Sequence, residues 1–164
     1  MDNKEKQDYI YFWKLYETNG FLGNWYRSDF YDSKDNSYTC NEQYMMAEKA
    51  RLFKDNETLI DIMNTIDPKF MRTLGRKITP FDQKKWDKKK EQIMIDGLML
   101  KFSQNESLKK KLLDTKNSIL VEASPYDKIW GAGLTASNII KNNNKWPGEN
   151  LLGKCLMIIR DKLQ

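Results

Sequence analysis

The chain has 164 residues, 40% of them hydrophobic and 31% charged, long enough for one domain with a sizeable core and too apolar for wholesale disorder. It contains no histidine, which excludes Ser-His and Cys-His nucleophile pairs, histidine general bases and most zinc sites. A net charge of +5 with a pI near 9.0 favours anionic partners such as nucleotides or nucleic acid.

Residues 1 to 8 are polar and expected to fray. Tyr9-Ile10-Tyr11-Phe12-Trp13 is β-branched and aromatic and predicts a first strand. After the Asn19-Gly20 turn signal, Phe21 to Asp32 mixes rings with Gly23, Asn24, Arg27 and Ser28 and has no clean period. It reads as a ligand wall or as a packed irregular segment. Lys34-Asp35-Asn36 is a turn, and Ser37-Tyr38 a short strand. A central helix follows, running to about Phe53. Asp55-Asn56 caps the next, with Leu59, Ile60, Met63 and Ile66 as its apolar stripe. Asp67-Pro68 starts a short helix that stops at Gly75. Thr79-Pro80 repeats that signal and opens a long helix to about Ser103, with Trp86, Ile93, Met94, Leu98 and Phe102 inward. Asn105-Glu106 opens another, with Leu108, Leu112 and Leu113 buried. Ile119 to Ala123 has strand character, and Ser124-Pro125 ends it. Residues 126 to 134 form a loop carrying Trp130-Gly131-Ala132-Gly133, whose glycines allow close backbone approach and whose amides can face phosphate. Asn150 caps a final helix with Leu151, Leu152, Leu156, Ile159 and Leu163 inward. The sum is a single α+β domain over residues 1 to 164, mostly helical with a small β-sheet.

The chemistry concentrates in Thr39-Cys40-Asn41-Glu42-Gln43-Tyr44-Met45-Met46-Ala47-Glu48-Lys49. Seven helical positions leave two side chains about 20° apart and two turns along the axis, so Glu42 and Lys49 share a face. An acid and an amine bracketing an apolar strip can form a site. Thr39-x-x-Glu42 equally fits a capping box, in which Glu42 only reaches back to the backbone. Cys40 and Cys155 are far apart with no CxxC and read as reduced thiols of a cytoplasmic protein. No apolar run approaches the ~20 residues of a membrane span, and Met1 to Glu5 is no signal peptide. The Lys84-Lys85…Lys88-Lys89-Lys90 and Lys109-Lys110-Lys111 clusters read as wet helix faces. Catalysis would rest on carboxylates, lysine, arginine, backbone amides and rings, with no metal or cofactor required.

The ordered set Phe21-Leu22-Gly23-Asn24-Trp25-Tyr26, Asn41-Glu42-Gln43-Tyr44 with Lys49, Leu74-Gly75-Arg76, Trp86, Met94, Lys101-Phe102, Val121 to Pro125, Asp127, Trp130 to Gly133, Gly148 to Gly153 and Leu156 to Arg160 resembles the NADAR family, the YbiA-like N-glycosidases. The match runs from about residue 20 to the end. Gly23-Asn24-Trp25 departs from the usual Ser-Asn-Phe, and Ala132 stands where isoleucine is common. The resemblance implies an enzyme that breaks the N-glycosidic bond between a phosphorylated ribose and a base. Its substrate would be a phosphoribosylamino-pyrimidine of riboflavin synthesis or ADP-ribose on guanine in nucleic acid.

The resemblance makes Glu42, Lys49 and Asp127 the catalytic candidates. Cleavage builds positive charge at the anomeric carbon, which a carboxylate stabilises while an acid helps the base depart. Lys49 offers a second route through a Schiff base, which needs a neutral amine in a partly dry setting. Asn24, Arg76, Trp130, Gly131 and Gly133 are the substrate-binding candidates. Each has a plainer reading: Asp127 as a turn residue, Trp130 as a core ring, Arg76 as a solvated residue past Gly75, Asn24 as a turn amide. Lys101 is a further candidate for charge work, against the commoner fate of a solvent-facing lysine, and Glu122 a structural partner for Arg160. Two rivals stand beside the glycosidase: a non-catalytic module binding ADP-ribose or a related nucleotide, and a helical interaction protein.

Overall fold

A computed structural model describes residues 6 to 164. Of the amino-terminal stretch expected to fray, residues 1 to 5 therefore lie outside the described residues. Gln7 and Asp8 are exposed but tethered: Gln7 donates to Asn117 O at 3.0 Å, and Asp8 O accepts from Ile119 N at 2.9 Å. The described residues contain seven α-helices, a short 3-10 helix (Gly20–Leu22) and two two-stranded sheets, a mostly helical α+β fold. The chain divides into two compact units, one taking in the chain up to Gly23 together with Lys110–Gln164, the other Asn24–Lys109.

The first unit is built on a parallel pair, β1 (Tyr9–Phe12) with β4 (Ile119–Glu122), in the register Tyr9 to Ile119 through Phe12 to Glu122. The two apolar runs read as strands in the sequence are these two. Helix α7 (Leu151–Leu163) packs on β4 and turns Leu152, Leu156 and Ile159 inward. It approaches closely because Gly153 has no side chain: a Cβ there would overlap Leu120 O. Asn150 does not cap α7 with its side chain. It adopts a left-handed φ of 51° and spends its amide on β4, accepting from Glu122 N and donating to Leu120 O, both at 3.0 Å. That amide satisfies strand groups that a further strand would otherwise pair. A core of Val121, Ala123, Ala132 and Ile139 is covered by Tyr9, Tyr11 and Trp146. Ile139 comes from α6 (Ala136–Lys141), a helix absent from the sequence reading although Thr135 caps it by accepting from Asn138 N at 3.3 Å.

In the second unit, α1 (Asn41–Leu52) packs against α2 (Asn56–Met63), α3 (Pro68–Gly75) and α4 (Gln83–Gln104). A hairpin of β2 (Phe30–Tyr31) and β3 (Ser37–Tyr38) lies on α4 and α1, its rings clustered with Tyr44. Asp55 and Asp67 cap α2 and α3, accepting from Thr58 N and Lys69 N. Two expectations fail here. Helix α4 starts at Gln83, not at Thr79-Pro80, because Asp82 accepts from Lys84 N at 2.9 Å and Lys85 N at 3.2 Å and so fixes its first turn. The inward residue of α2 is Ile62, while Ile60 and Ile66 are exposed. The helix ends at Met63, and its contact with α1 selects the face that carries Ile62. Beyond α4 comes α5 (Glu106–Leu113), with Leu108 and Leu112 buried as expected.

Candidate active site

Helix α1 begins one residue later than a Thr39 capping box requires. Its N-cap is Cys40, which makes no side-chain cap bond, and Gln43 takes the reach-back role. Gln43 Oε1 accepts from Thr39 N at 2.8 Å and Thr39 Oγ1 at 3.1 Å, while its Nε2 donates to Ile62 O and Thr65 O. Glu42 sits buried in the first turn of α1, 9% exposed. Its backbone N–H donates to Asn24 O at 3.0 Å. The Asn24 amide is held at the same end of α1, accepting from Asn41 Nδ2 at 2.9 Å. Burial pushes the Cys40 thiol up to about 11, which disfavours its thiolate.

At the other end of α1, Lys49 is half-buried. Its amine donates to Gly75 O at 3.0 Å and lies 4.9 Å from the Phe81 ring centre and 5.3 Å from that of Trp86. Burial pushes Lys49 below the ordinary lysine range, the Glu42 carboxylate pulls it back up, and the Arg76 cation pushes it down again. Arg76 is exposed and closes α3 as its C-cap. Asn24, Glu42, Lys49 and Arg76 are thus gathered on and around α1, the acid and the amine coupled through their fields.

Two residues of this unit take places that the sequence did not indicate. Lys101 is not solvent-facing; it is fully buried on α4, its amine 5.9 Å from the Tyr26 ring centre and 5.0 Å from that of Phe102. Burial pulls its amine down to about 7. Gly97, one turn before it, lies against Asn41 and Tyr44, which lets α4 pack tightly on the start of α1. A second constellation ties the hairpin down: Tyr38 donates to Asp32 Oδ2 at 2.8 Å, and Arg51 donates to Tyr38 Oη and to Glu48, each at 2.8 Å.

The first unit carries the remaining candidates on the loop after β4. Asp127 Oδ1 accepts from Ile129 N and Trp130 N, both at 2.9 Å, so its carboxylate shapes the loop as an Asx turn. Trp130 is half-buried. The carbonyls of Lys128, Ile129, Trp130 and Gly131 accept from Glu149, Leu151, Leu152 and Asn150 N–H, so the loop supplies the cap that the Asn150 side chain withholds. Gly131 has no room for a side chain against Asp127 O and Glu122, and Gly133 has a φ of +74° with Lys128 packed over it. The close approach that these glycines permit is to the protein itself. Arg160 is buried and donates to Thr115 Oγ1 and Ser118 O.

Sequence comparison and fold agree on the class of this protein. The chain belongs to the NADAR domain family, whose model matches residues 11–164. It is 51% identical over 128 residues to N-glycosidase R617 of Acanthamoeba polyphaga mimivirus, covering 77% of this chain and 75% of that protein. N-glycosidase Npun_R5314 of Nostoc punctiforme is 30% identical over 155 residues, 94% of this chain and 92% of its own length. The solved structure of Escherichia coli YbiA superposes with a TM-score of 0.78 at 28% identity, over 96% of this chain and 86% of that one. Among the described residues, no helix is long and apolar enough to cross a membrane.

Proposed function

We propose that this protein is an N-glycosidase that hydrolyses the bond between a phosphorylated ribose and a nitrogen base. The named activity of its relatives supports the reaction class. The observation that carries the reading is Lys49, an amine held between Phe81 and Trp86 and tuned in opposite directions by Glu42 and Arg76. Glu42 stabilises the cationic anomeric carbon as the base departs. Asp127 is assigned to proton transfer with the leaving base on the family resemblance alone. Arg76 suits a substrate phosphate through its fork of donors, with Asn24 and Trp130 assigned to the ribose and base, and Gly131 and Gly133 to the loop that carries Trp130.

A second route is favoured by the downward push on Lys49. With the sugar ring open, the neutral amine attacks C1 and the base leaves with a proton as its amine. Water then hydrolyses the imine, releasing the sugar aldehyde and restoring Lys49.

The test incubates the protein with an oligonucleotide bearing ADP-ribosyl-guanine and, separately, with the riboflavin-pathway phosphoribosylamino-pyrimidine, reading released base. Glu42→Gln, Lys49→Met and Asp127→Asn run in parallel, each expected to lower turnover by roughly 10²-fold or more. A borohydride-trapped adduct that disappears in Lys49→Met identifies the imine route. Tight binding of ADP-ribose without released base would replace the enzyme by a binding module.

A further inference from the structure

The parallel sheet has one closed edge and one open one. On β4, the outward groups Glu122 N and Leu120 O are taken by the Asn150 amide. On β1, Asp8 O and Phe12 O accept from Ile119 N and Ala123 N. The even-numbered residues therefore face β4, and alternation along the strand turns the backbone groups of Tyr9 and Tyr11 the other way. Outside the β1–β4 ladder and among the described residues, the Tyr9 and Trp13 backbones and the Tyr11 N–H make no hydrogen bond. Tyr11 O accepts from Asn19 Nδ2 at a long 3.4 Å. Proline, bulges and charged side chains are the usual means of blunting a free edge, and β1, Tyr9-Ile10-Tyr11-Phe12 in regular register, contains none of them. Its charges stand at either end, Asp8 before it and Lys14 two residues after it, both exposed.

The side chains of this stretch complement a second copy of itself. With two β1 edges paired antiparallel about a twofold axis through Tyr11, Tyr11 lies opposite the partner's Tyr11 and Tyr9 opposite the partner's Trp13. Aromatic pairs placed directly across strands stabilise a sheet, and Tyr9 and Tyr11 already stand stacked on one face, 6.2 Å apart and 7° from parallel. In the same register Asp8 falls opposite the partner's Lys14, and by symmetry this happens twice. Asp8 and Lys14 then occupy the closer-spaced, non-hydrogen-bonded positions of the ladder. A twofold axis through Ile10 instead would set Lys6 against the partner's Lys14, which is repulsive. Charge and rings thus select one register.

We infer that β1 is a self-association edge, on which two copies of this chain pair antiparallel to continue the sheet as β4-β1-β1-β4. Tyr11 exchanges both its backbone bonds with its own copy, and Tyr9 and Trp13 exchange theirs crosswise. Such an isologous contact closes at two copies, because each spends its one open edge. The inference concerns assembly and does not depend on the glycosidase reading, so its test uses no turnover.

Sedimentation velocity is run on the protein from micromolar to millimolar concentration. The parent should pass from monomer to dimer. Asp8→Lys and Lys14→Glu each turn both cross-strand attractions into repulsions, and each should raise the dimer dissociation constant by about tenfold at low salt. The double variant Asp8→Lys/Lys14→Glu reinstates opposite charges and should return within about threefold of the parent. Both side chains are exposed, and thermal melts verify folding. Recovery in the double variant is specific to this pairing, since a fold defect would accumulate and a dimer built elsewhere would not respond. A parent that stays monomeric throughout overturns the inference and leaves the edge to an extended segment of another protein. Single variants that dimerise as the parent does, or a double variant no better than either single one, overturn it equally.

Discussion

Replacing Gly97 by alanine sets two opposed effects against each other. In an isolated helix the change is favourable by about 1 kcal/mol, since glycine in a helix interior loses more backbone entropy. Here the new Cβ would overlap Asn41 Oδ1 and stand 2.5 Å from Tyr44 Cδ1. Neither neighbour yields easily. Asn41 is fully buried and held to Asn24 and Met94, and the Tyr44 ring is packed with Phe30 and Tyr38. Overpacking of this kind costs about 1–3 kcal/mol, and parting α1 from α4 also loosens the contacts of Asn41 and Tyr44. Gly97→Ala is expected to be less stable by about 1–2 kcal/mol, a melting temperature lower by about 3–6 °C.

The same substitution at Gly75 supplies the control. A Cβ there would overlap Met46 Sδ and stand 3.1 Å from Met46 Cγ, atoms of a flexible side chain that can turn aside. Gly75→Ala should be neutral or more stable by up to about 1 kcal/mol. Urea midpoints for both variants decide the matter. Equal stabilisation of the two would show that α4 does not press on Asn41 and Tyr44, and the packing account would fail.

The left-handed Asn150 gives an ordering. Asn150→Gly loses the two bonds to β4 but keeps the backbone at ease, whereas Asn150→Ala adds about 1 kcal/mol of strain. Urea unfolding should show both well below the parent, with alanine the worse. Lys101 sets a pH dependence. Its folded value of about 7 lies below its ordinary 10.5, so between those values the unfolded chain holds a proton that the folded one lacks. Stability contributed by this group therefore rises with pH across that window, by at most about 1.4 kcal/mol per unit, and is at its lowest below about 7. Lys101→Met should flatten the slope of urea stability between pH 7 and 10, and identical slopes in the two proteins would exclude the effect.

How far the sequence carried depends on the range of the interaction that decides each feature. Caps are local, so Asp55, Asp67 and the turn at Gly75 were legible, as were the two strands with unbroken apolar runs. Where two local signals competed, the sequence offered no arbiter: Thr79-Pro80 and Asp82 both announce a helix, and the carboxylate that engages two amides prevailed. The face of α2 was decided by its contact with α1, which periodicity over eight residues does not reveal. Glu42 and Lys49 could be placed on one helical face from their spacing alone. Their surroundings could not, because Asn24, Gly75, Phe81 and Trp86 come from other segments. Lys101 was misjudged for the same reason: residue type predicts exposure, and tertiary packing overrode it.

The pair on α1 makes a prediction that bears on mechanism. Arg76 lowers the tendency of Lys49 to hold its proton, and Glu42 raises it. Arg76→Gln removes the first of these and leaves the second, so Lys49 should keep its proton to higher pH. The profile of kcat/KM against pH reports groups of the free enzyme. If Lys49 works as a neutral amine, activity rises with pH through its titration, and the rising limb moves to higher pH in Arg76→Gln. If it works as an ammonium acid, activity falls through the same titration, and the falling limb moves the same way. The slope of the limb thus names the chemistry, while its displacement tests the geometry. Arg76 is exposed, so the displacement should shrink as salt screens it. A limb that stays in place at low salt, or moves to lower pH, would show that Arg76 does not act on Lys49 and that the opposed-charge account of this amine is wrong.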